Sequence, residues 1–231
     1  MSPARIVLFT GAGVRAESGL RTFRDSDGLW EEYRIEDVAT PEAWARDPAL
    51  VLHFCDLRRE QVLRSMPNAA HEAIAALEDN FEVQVVTQNI DDLHERAGSS
   101  KVLHLHGEIL KARSTADPSL VFLVNGPHLR LGDTCPKGSQ LRPHIVWFGE
   151  EVPLLMPAAA LVGQADVLVV VGSSLQVYPA AGLVHSASVH APIHLVDPNE
   201  VSARGARFTH WKEKASLGVP KLAQFLKETY A

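Results

Sequence analysis

Cysteine is scarce: two in 231 residues, Cys55 and Cys135, far apart in the chain. That excludes a secreted disulfide framework and predicts a reducing compartment. No basic block is present, and Asp+Glu (28) outnumber Lys+Arg (22), for a net charge of −6 and a pI near 6.0. Nucleic acid is therefore not expected as a partner. Apolar runs are short. Val167–Val171, one of the longest, falls far below the ~20 residues of a spanning helix, so no membrane partner is expected either. Residues Met1 to Arg5 carry no charged leader or cleavage site before the first apolar strand, and the expectation is a soluble cytoplasmic protein. Internal repeats and low-complexity tracts are also lacking.

The 46% hydrophobic and 22% charged residues are ordinary for a globular chain. At this length folding buries roughly 70% or more of the surface, so neither disulfides nor a metal are required for stability. Four runs rich in Val, Ile and Leu read as buried parallel strands: Arg5–Thr10, Val83–Thr87, Val167–Val171 and Ile193–Asp197. Lys101–Leu105 is a weaker fifth. Helical patterns lie between them, as at Asn68–Asp79, Asp91–Ala97 and Leu154–Ala165. This alternation implies an open α/β sheet with ligand chemistry at the carboxyl ends of its strands. Two segments break the rhythm. Residues 31–74 read as purely helical, and 108–142 as irregular, with many Gly, Pro and Ser. They are expected to form a smaller lobe, leaving 1–30, 75–107 and 143–231 as the larger one, with a small-molecule cleft between.

The first strand runs into Gly11-Ala12-Gly13-Val14-Arg15-Ala16, which fits G-x-G-x-x-G/A. Glycines there let the backbone approach a pyrophosphate, and the helix start offers N–H groups; a ligand-free strand–helix turn is the competing reading. A dehydrogenase would carry an acid about 20 residues on, at the end of a second strand. That region is Gly28-Leu29-Trp30-Glu31-Glu32, the start of the helical insertion, which disfavours hydride transfer. The second strand ends in Thr87-Gln88-Asn89-Ile90-Asp91-Asp92, where amides and a carboxylate suit sugar hydroxyls and a carboxamide, or a helix cap. In Leu103-His104-Leu105-His106-Gly107-Glu108, alternation puts both histidines on one face. A neutral imidazole at a strand's mouth suits a general base; a structural histidine is the alternative, more so for His104. No nearby set of acids and histidines is seen that would complete a metal shell around the pair. Gly172-Ser173-Ser174 after the third strand suits a phosphate or ribose, and the fourth strand ends at Asp197.

Taken in order, GAGVRAESGLRTFR, TQNIDDLHERAG, LHLHGE, RPHIVWFGE and VGSSLQVYPAAGL resemble the sirtuins, NAD-dependent protein lysine deacylases, across nearly the whole chain. The resemblance implies a Rossmann-like large lobe, a small lobe made of the two insertions, and NAD in the cleft between them. Carried over by position, it places Gly11, Ala12, Gly13, Ala16, Phe23 and Arg24 around the phosphates and nicotinamide ribose. Gln88, Asn89, Ile90 and Asp91 would hold the nicotinamide and its ribose; Gly172, Ser173, Ser174, Asp197 and Ala215 would meet the phosphate and adenosine part. His106 would touch NAD as the catalytic base, with Asn89 the second catalytic residue. In the family's reaction the acyl-lysine carbonyl oxygen attacks the ribose carbon bearing nicotinamide. The base then activates a ribose hydroxyl and the acyl group moves to ADP-ribose, releasing nicotinamide and free lysine. Such a site positions a weak nucleophile, in keeping with the lack of an obvious Ser or Cys nucleophile. The acylated lysine of a protein substrate would lie near Phe148, its backbone adding as a strand between Val146-Trp147-Phe148-Gly149 and Gln176-Val177-Tyr178.

Several positions depart from the family pattern. Many sirtuins carry two C-x-x-C pairs; here the corresponding residues are Ser114, Asp117, Cys135 and Gly138, which do not make a tetrahedral zinc site. NAD is expected, zinc is not. Asp197 stands where the family usually has Asn, and serves either ribose hydroxyls or a turn before Pro198. Asp47 and Pro48 start a helix whose stripe Val51, Cys55, Arg58, Val62 carries one charge, while Arg59 is expected on a solvated face. Sirtuins that remove succinyl or malonyl groups carry a Tyr and an Arg three residues apart at this place. Arg58 matches the Arg and Cys55 replaces the Tyr, so deacetylation is expected beside weaker action on acidic acyl groups. A salt bridge within the protein is the competing role for Arg58. Beyond deacylation, mono-ADP-ribosyl transfer, an idle NAD or ADP-ribose sensor and a metal hydrolase on the H-x-H pair stay open.

Overall fold

The computed structural model describes residues 3–20, 29–30, 33–200 and 208–231. Strand β1 (Arg5–Thr10) runs into a 3-10 helix, Ala12–Ser18. A short hairpin, β2 (Leu29–Trp30) with β3 (Tyr33–Arg34), precedes helices α1 (Ile35–Val38), α2 (Pro41–Arg46) and α3 (Pro48–Arg64). Then come α4 (Ala69–Ala75), β4 (Glu82–Thr87), α5 (Leu93–Arg96) and β5 (Val102–His104). Strands β6 (Gly107–Ser114), β7 (Val121–Leu123) and β8 (Leu141–Ile145) follow. The chain closes with α6 (Leu155–Gly163), β9 (Val167–Val171), β10 (Ile193–Val196), β11 (Phe208–Trp211) and α7 (Ala215–Tyr230).

Six strands form one parallel sheet in the order β11-β10-β9-β1-β4-β5. All five residues of β9 are fully buried, because helices cover both faces of the sheet, as the unbroken Val/Leu run requires. On one face Ile6, Leu8, Val83, Val85 and Val169 pack with Ile74, Val219 and Leu222 from α4 and α7. On the other, Val7, Phe9, Leu168 and Val170 pack with Ala158 and Val162 of α6 and with Leu183 and Val184.

Two expectations for the insertions are corrected. The segment 31–74 is not purely helical, since β3 lies within it. The 108–142 segment is not irregular: β6, β7 and β8 form a three-stranded antiparallel sheet ordered β7-β6-β8. A register shift between Glu108 and Ala112 breaks the alternation that would have marked β6 as a strand. The two insertions pack together. Val38, Ala43, Val51, Phe54, Cys55 and Val62 cluster with Ile109, Ile145 and Trp147. Arg59, expected in solvent, is fully buried: Nε donates to Ile109 O (2.8 Å) and Nη1 to Pro127 O (2.6 Å) and Asp56 Oδ1 (2.7 Å). A guanidinium that finds two carbonyls and a carboxylate is cheaper to bury than to strand, and it ties α3 to the second insertion.

Candidate active site

Strand register levels three turns. β1 meets β4 at Thr10↔Thr87 and β9 at Thr10↔Val171, so the turns at Gly11, Gln88 and Gly172 open side by side. Gly11 N–H donates to Val171 O (2.9 Å) and Gly13 N–H to Gly172 O (2.8 Å). A Cβ on Gly13 would sit 2.6 Å from Gly172 Cα, and Gly172 has φ +59°. The glycines are thus demanded by the approach of two turns to each other, and two N–H groups expected to be available to a pyrophosphate are already bonded. The third turn is stitched on by Gln88 Nε2, which donates to Ser173 Oγ (3.1 Å), and by Asn89 Nδ2, which donates to Gly11 O (3.0 Å). Ala12 and Ser174 are half-buried at these turns, and Ala16 is exposed.

The two histidines play different parts. His106 directs Nδ1 to Gln88 O (3.0 Å) and His104 directs Nδ1 to Asn89 O (3.1 Å). A carbonyl only accepts, so both Nδ1 atoms carry a proton. His104 Nε2 also meets Glu95 Oε1 at 2.7 Å. Burial opposes charge at His104, but the Glu95 carboxylate outweighs it and the pKa rises; this is a structural histidine. At His106 burial lowers the pKa, offset in part by the Gln88 carbonyl. The result is a neutral imidazole near pH 7 with Nε2 as its basic nitrogen, the form a general base needs.

Asp91 is 2% exposed. Its Oδ2 meets Arg15 Nη1 at 2.9 Å and its Oδ1 accepts from Leu93 N–H at 3.3 Å. The helix-cap reading therefore holds in part, since Asp91 binds the first N–H of α5. Burial opposes its charge, but Arg15, His94 and the Leu93 N–H together hold the pKa below the usual value. Sequence reasoning missed Arg15 as a site residue. The available signal was a cation within the G-x-G-x-x-A segment; its carboxylate partner comes from a turn 76 residues away.

Of the residues expected to meet the acylated lysine, Phe148, Val177 and Tyr178 are large groups left exposed. Val146 N–H donates to His106 O (2.9 Å), Trp147 N–H to Glu150 Oε2 (2.8 Å) and Phe148 N–H to Ala39 O (3.0 Å). These three N–H groups are thus engaged within the chain, and the Trp147 carbonyl accepts the Glu150 N–H (3.1 Å). Arg142 stacks its guanidinium 3.2 Å from the centre of the buried Trp147 ring and donates to Glu150 (2.7 and 3.1 Å), fixing this segment. Cys55 and Arg58 are both buried, and burial pushes the Cys55 thiol up to about 12.

Asp197, nearly buried, spends Oδ1 on Asn199 N–H (2.9 Å), closing the turn foreseen before Pro198. Ala215 is a core residue at the start of α7. Phe23 and Arg24 lie outside the described residues. Ser114, Asp117, Cys135 and Gly138, which the resemblance set against zinc cysteines, make other bonds. Cys135 hydrogen-bonds to Ser114, which draws the thiol pKa down, and Asp117 accepts from Ser119 Oγ (2.6 Å) and Lys137 Nζ (2.8 Å). A thiol, a hydroxyl, a lysine-paired carboxylate and a glycine do not fit zinc. Among the described residues no group of three or more His, Cys, Asp or Glu could hold a metal ion, and no helix is long and apolar enough to cross a membrane.

A family model described as the Sir2 family matches residues 11–179. A protein of Bacteroides thetaiotaomicron named NAD-dependent protein deacylase is 49% identical over 227 residues, 96% of this chain and 97% of that one. A Helicobacter pylori protein of the same name is 53% identical over 198 residues, 86% of each. Among solved structures, a Sir2 homologue in complex with NAD is 40% identical with a TM-score of 0.88, covering 99% of this chain and 91% of that one. With the levelled turns, the six-stranded parallel sheet, the separate antiparallel sheet and the ordered motifs already in place, these matches show that the chain belongs to the Sir2 family.

Proposed function

We propose that this chain removes acyl groups from protein lysines at the expense of NAD, yielding nicotinamide, O-acyl-ADP-ribose and free lysine. The observation that carries the reading is His106: a neutral imidazole, oriented by the carbonyl of Gln88, whose own carbonyl anchors Val146 of the substrate-facing segment. NAD supplies the ADP-ribose acceptor. Gln88, Asn89 and Ile90 present the nicotinamide end, with Asp91 setting their turn. Ala12, Ser173 and Ser174 serve the phosphates, and Asp197 Oδ2 a ribose hydroxyl. His106 Nε2 takes the proton of the ribose hydroxyl that receives the acyl group. Residues 1–30, 75–107 and 143–231 form the NAD-binding lobe, 31–74 and 108–142 the small lobe. The protein works in the cytoplasm, in keeping with two buried, unpaired cysteines, and without zinc.

The acyl range is acetyl first, with acidic acyl groups accepted more weakly. Arg58 is buried on α3 at helical spacing from the buried Val51, Cys55 and Val62, and a guanidinium suits a carboxylate. The Cys55 thiol cannot replace a phenol's hydrogen bond, worth roughly 1–3 kcal/mol in a dry site. Incubation with NAD and acetyl- or succinyl-lysine peptides, with products weighed, tests the activity: ADP-ribosylated protein, or no turnover, rejects it. Arg58→Met is expected to lower kcat/KM for the succinyl peptide selectively; an equal fall for both peptides makes Arg58 structural.

A further inference from the structure

The Arg15–Asp91 pair has both side chains almost wholly buried, at 6% and 0% exposure. Arg15 belongs to the 3-10 helix that follows the glycine turn, and Asp91 to the turn after β4. The ion pair therefore crosses between two of the three levelled turns, beside the bond from Asn89 Nδ2 to Gly11 O. Both partners are held from behind. Asn68 Nδ2 donates to Val14 O (2.9 Å), fixing the backbone next to Arg15, and Asn68 also caps α4 together with His71. His94 Nε2 contacts Thr10 Oγ1 (3.0 Å), Thr10 bonds to Thr87 Oγ1 (2.8 Å), and Thr87 Oγ1 accepts Asn89 N–H (3.1 Å).

We infer that Arg15 is a positioning residue for the NAD reaction: its guanidinium holds the Asp91 carboxylate, and through it the Gln88–Asp91 turn, in the one arrangement that receives the nicotinamide end. The inference rests on placing nicotinamide at that turn, as proposed above. Each oxygen of Asp91 has a partner, one Arg15 and the other Leu93 N–H, so the position of the carboxylate is set by these two contacts. The groups facing Asp91 are Arg15 from the 3-10 helix, His94 from α5, His71 from α4 and the adjacent Asp92. With Arg15 present its charge cancels that of Asp91, Asp92 is paired with Arg96 (3.6 Å), and the two imidazoles are held neutral, both pushed down by burial. Without the guanidinium a buried anion is left facing two histidines, and the cluster must bind a proton to stay neutral. The turn would then titrate where the native one does not.

The test compares wild type with Arg15→Gln, which keeps a donor but no charge, and Arg15→Lys, which keeps the charge. KM for NAD, KM for an acetyl-lysine peptide and the pH dependence of kcat/KM for NAD are measured on each. Arg15→Gln is expected to raise KM for NAD at least tenfold, leave the peptide KM within about threefold, and add an ionisation that wild type lacks. Arg15→Lys should remove the added ionisation and recover part of the NAD affinity. Equal changes in both KM values, or a pH profile parallel to wild type, overturns the inference. If Arg15→Gln does not fold, Arg15→Lys decides: a raised KM for NAD alone supports the role, an unchanged one rejects it. Asn89→Ala is measured alongside. If it leaves KM for NAD and turnover intact, nicotinamide does not sit at this turn and both readings fall. If it is defective while Arg15→Gln matches wild type, only the role of Arg15 falls.

Discussion

At the mouth of the parallel sheet, Arg15 and Asp91 meet at 2.9 Å with 6% and 0% of their side chains exposed; in the outer insertion, Lys137 and Asp117 meet at 2.8 Å with 64% and 27% exposed. Each pair joins two loops, and the distances are nearly equal. Their surroundings decide what each contact does. In water a lysine–carboxylate pair gains little, because solvent and side-chain entropy compete with it. In the interior, the same union is the only way both charges can be tolerated, and removing one partner strands the other. The sheet mouth is thus a place where substitution is costly and geometry is fixed; the outer knuckle can drift in sequence with little penalty.

The largest effect is expected where the rigid region hands over to the insertion, at His106. His106→Ala should lower deacylation by about 100- to 10,000-fold, the range for loss of a general base, while NAD binding measured by calorimetry stays near wild type. Retained turnover would dissolve the functional contrast between His106 and His104. A milder check uses pH: burial depresses the His106 pKa, so kcat/KM should rise through an acid limb centred below about 6.5 and level off above it.

Next comes the ion-pair contrast itself. Asp91→Ala should cost about 3–5 kcal/mol in urea unfolding, since it leaves a buried guanidinium uncompensated, whereas Asp117→Ala should leave the midpoint unmoved. Equal shifts would mean that burial is not what separates the two regions.

The sequence made much of the sheet mouth legible and little of the outer insertion, for physical reasons. Strands buried on both faces, such as Val167–Val171, announce themselves as unbroken apolar runs, and their ends locate Gly11, Gln88 and Gly172. By contrast β6 carries a register shift, and β7 is three residues long with Val121 and Leu123 exposed, so neither shows a clean period. Helix α7 was not read because Gly218 and Pro220 lie inside it; burial of Val219, Leu222 and Leu226 against the sheet outweighs their poor propensity. Arg59 was misplaced for a related reason: its three acceptors come from residues 56, 109 and 127, and two of those are distant in sequence. Arg15 likewise acquires its meaning only when strand register brings residue 91 beside it.

A smaller effect sharpens the account of the polar layer beneath the sheet mouth. Burial takes the His71 pKa down to about 4 and that of His94 down to about 3, against about 6.5 when unfolded. Between about pH 6.5 and 4 the unfolded chain therefore binds protons that the folded one does not, and stability must fall as the pH is lowered. Asp91, with its depressed pKa, adds to the loss only at still lower pH. His104 acts in the opposite sense, because its pKa is raised. His71→Asn keeps an acceptor for the Asn68 N–H that now binds His71 Nδ1 at 3.2 Å. It should reduce the slope of unfolding free energy against pH in that window by about one proton; an unchanged slope would show that His71 titrates alike in both states.

The smallest effect is expected at the knuckle of the outer insertion, where the comparison began. Ser114, Asp117, Cys135 and Gly138 are the residues the resemblance set against a zinc site, and here the Ser114–Cys135 hydrogen bond and the Asp117–Lys137 pair join the two loops. Beneath them Ala112 and Leu129 pack against Leu52 of α3, so apolar contact holds the insertion to the helices. A structural zinc would contribute folding free energy outright, and its removal would unfold the lobe. Exhaustive chelation should therefore change neither the unfolding midpoint nor the deacylase rate, and elemental analysis of the purified protein should give zinc well below one equivalent. Stoichiometric zinc with a chelator-dependent loss of folding would show that ligands outside this set complete a site, and that the outer insertion is as tightly constrained as the sheet mouth.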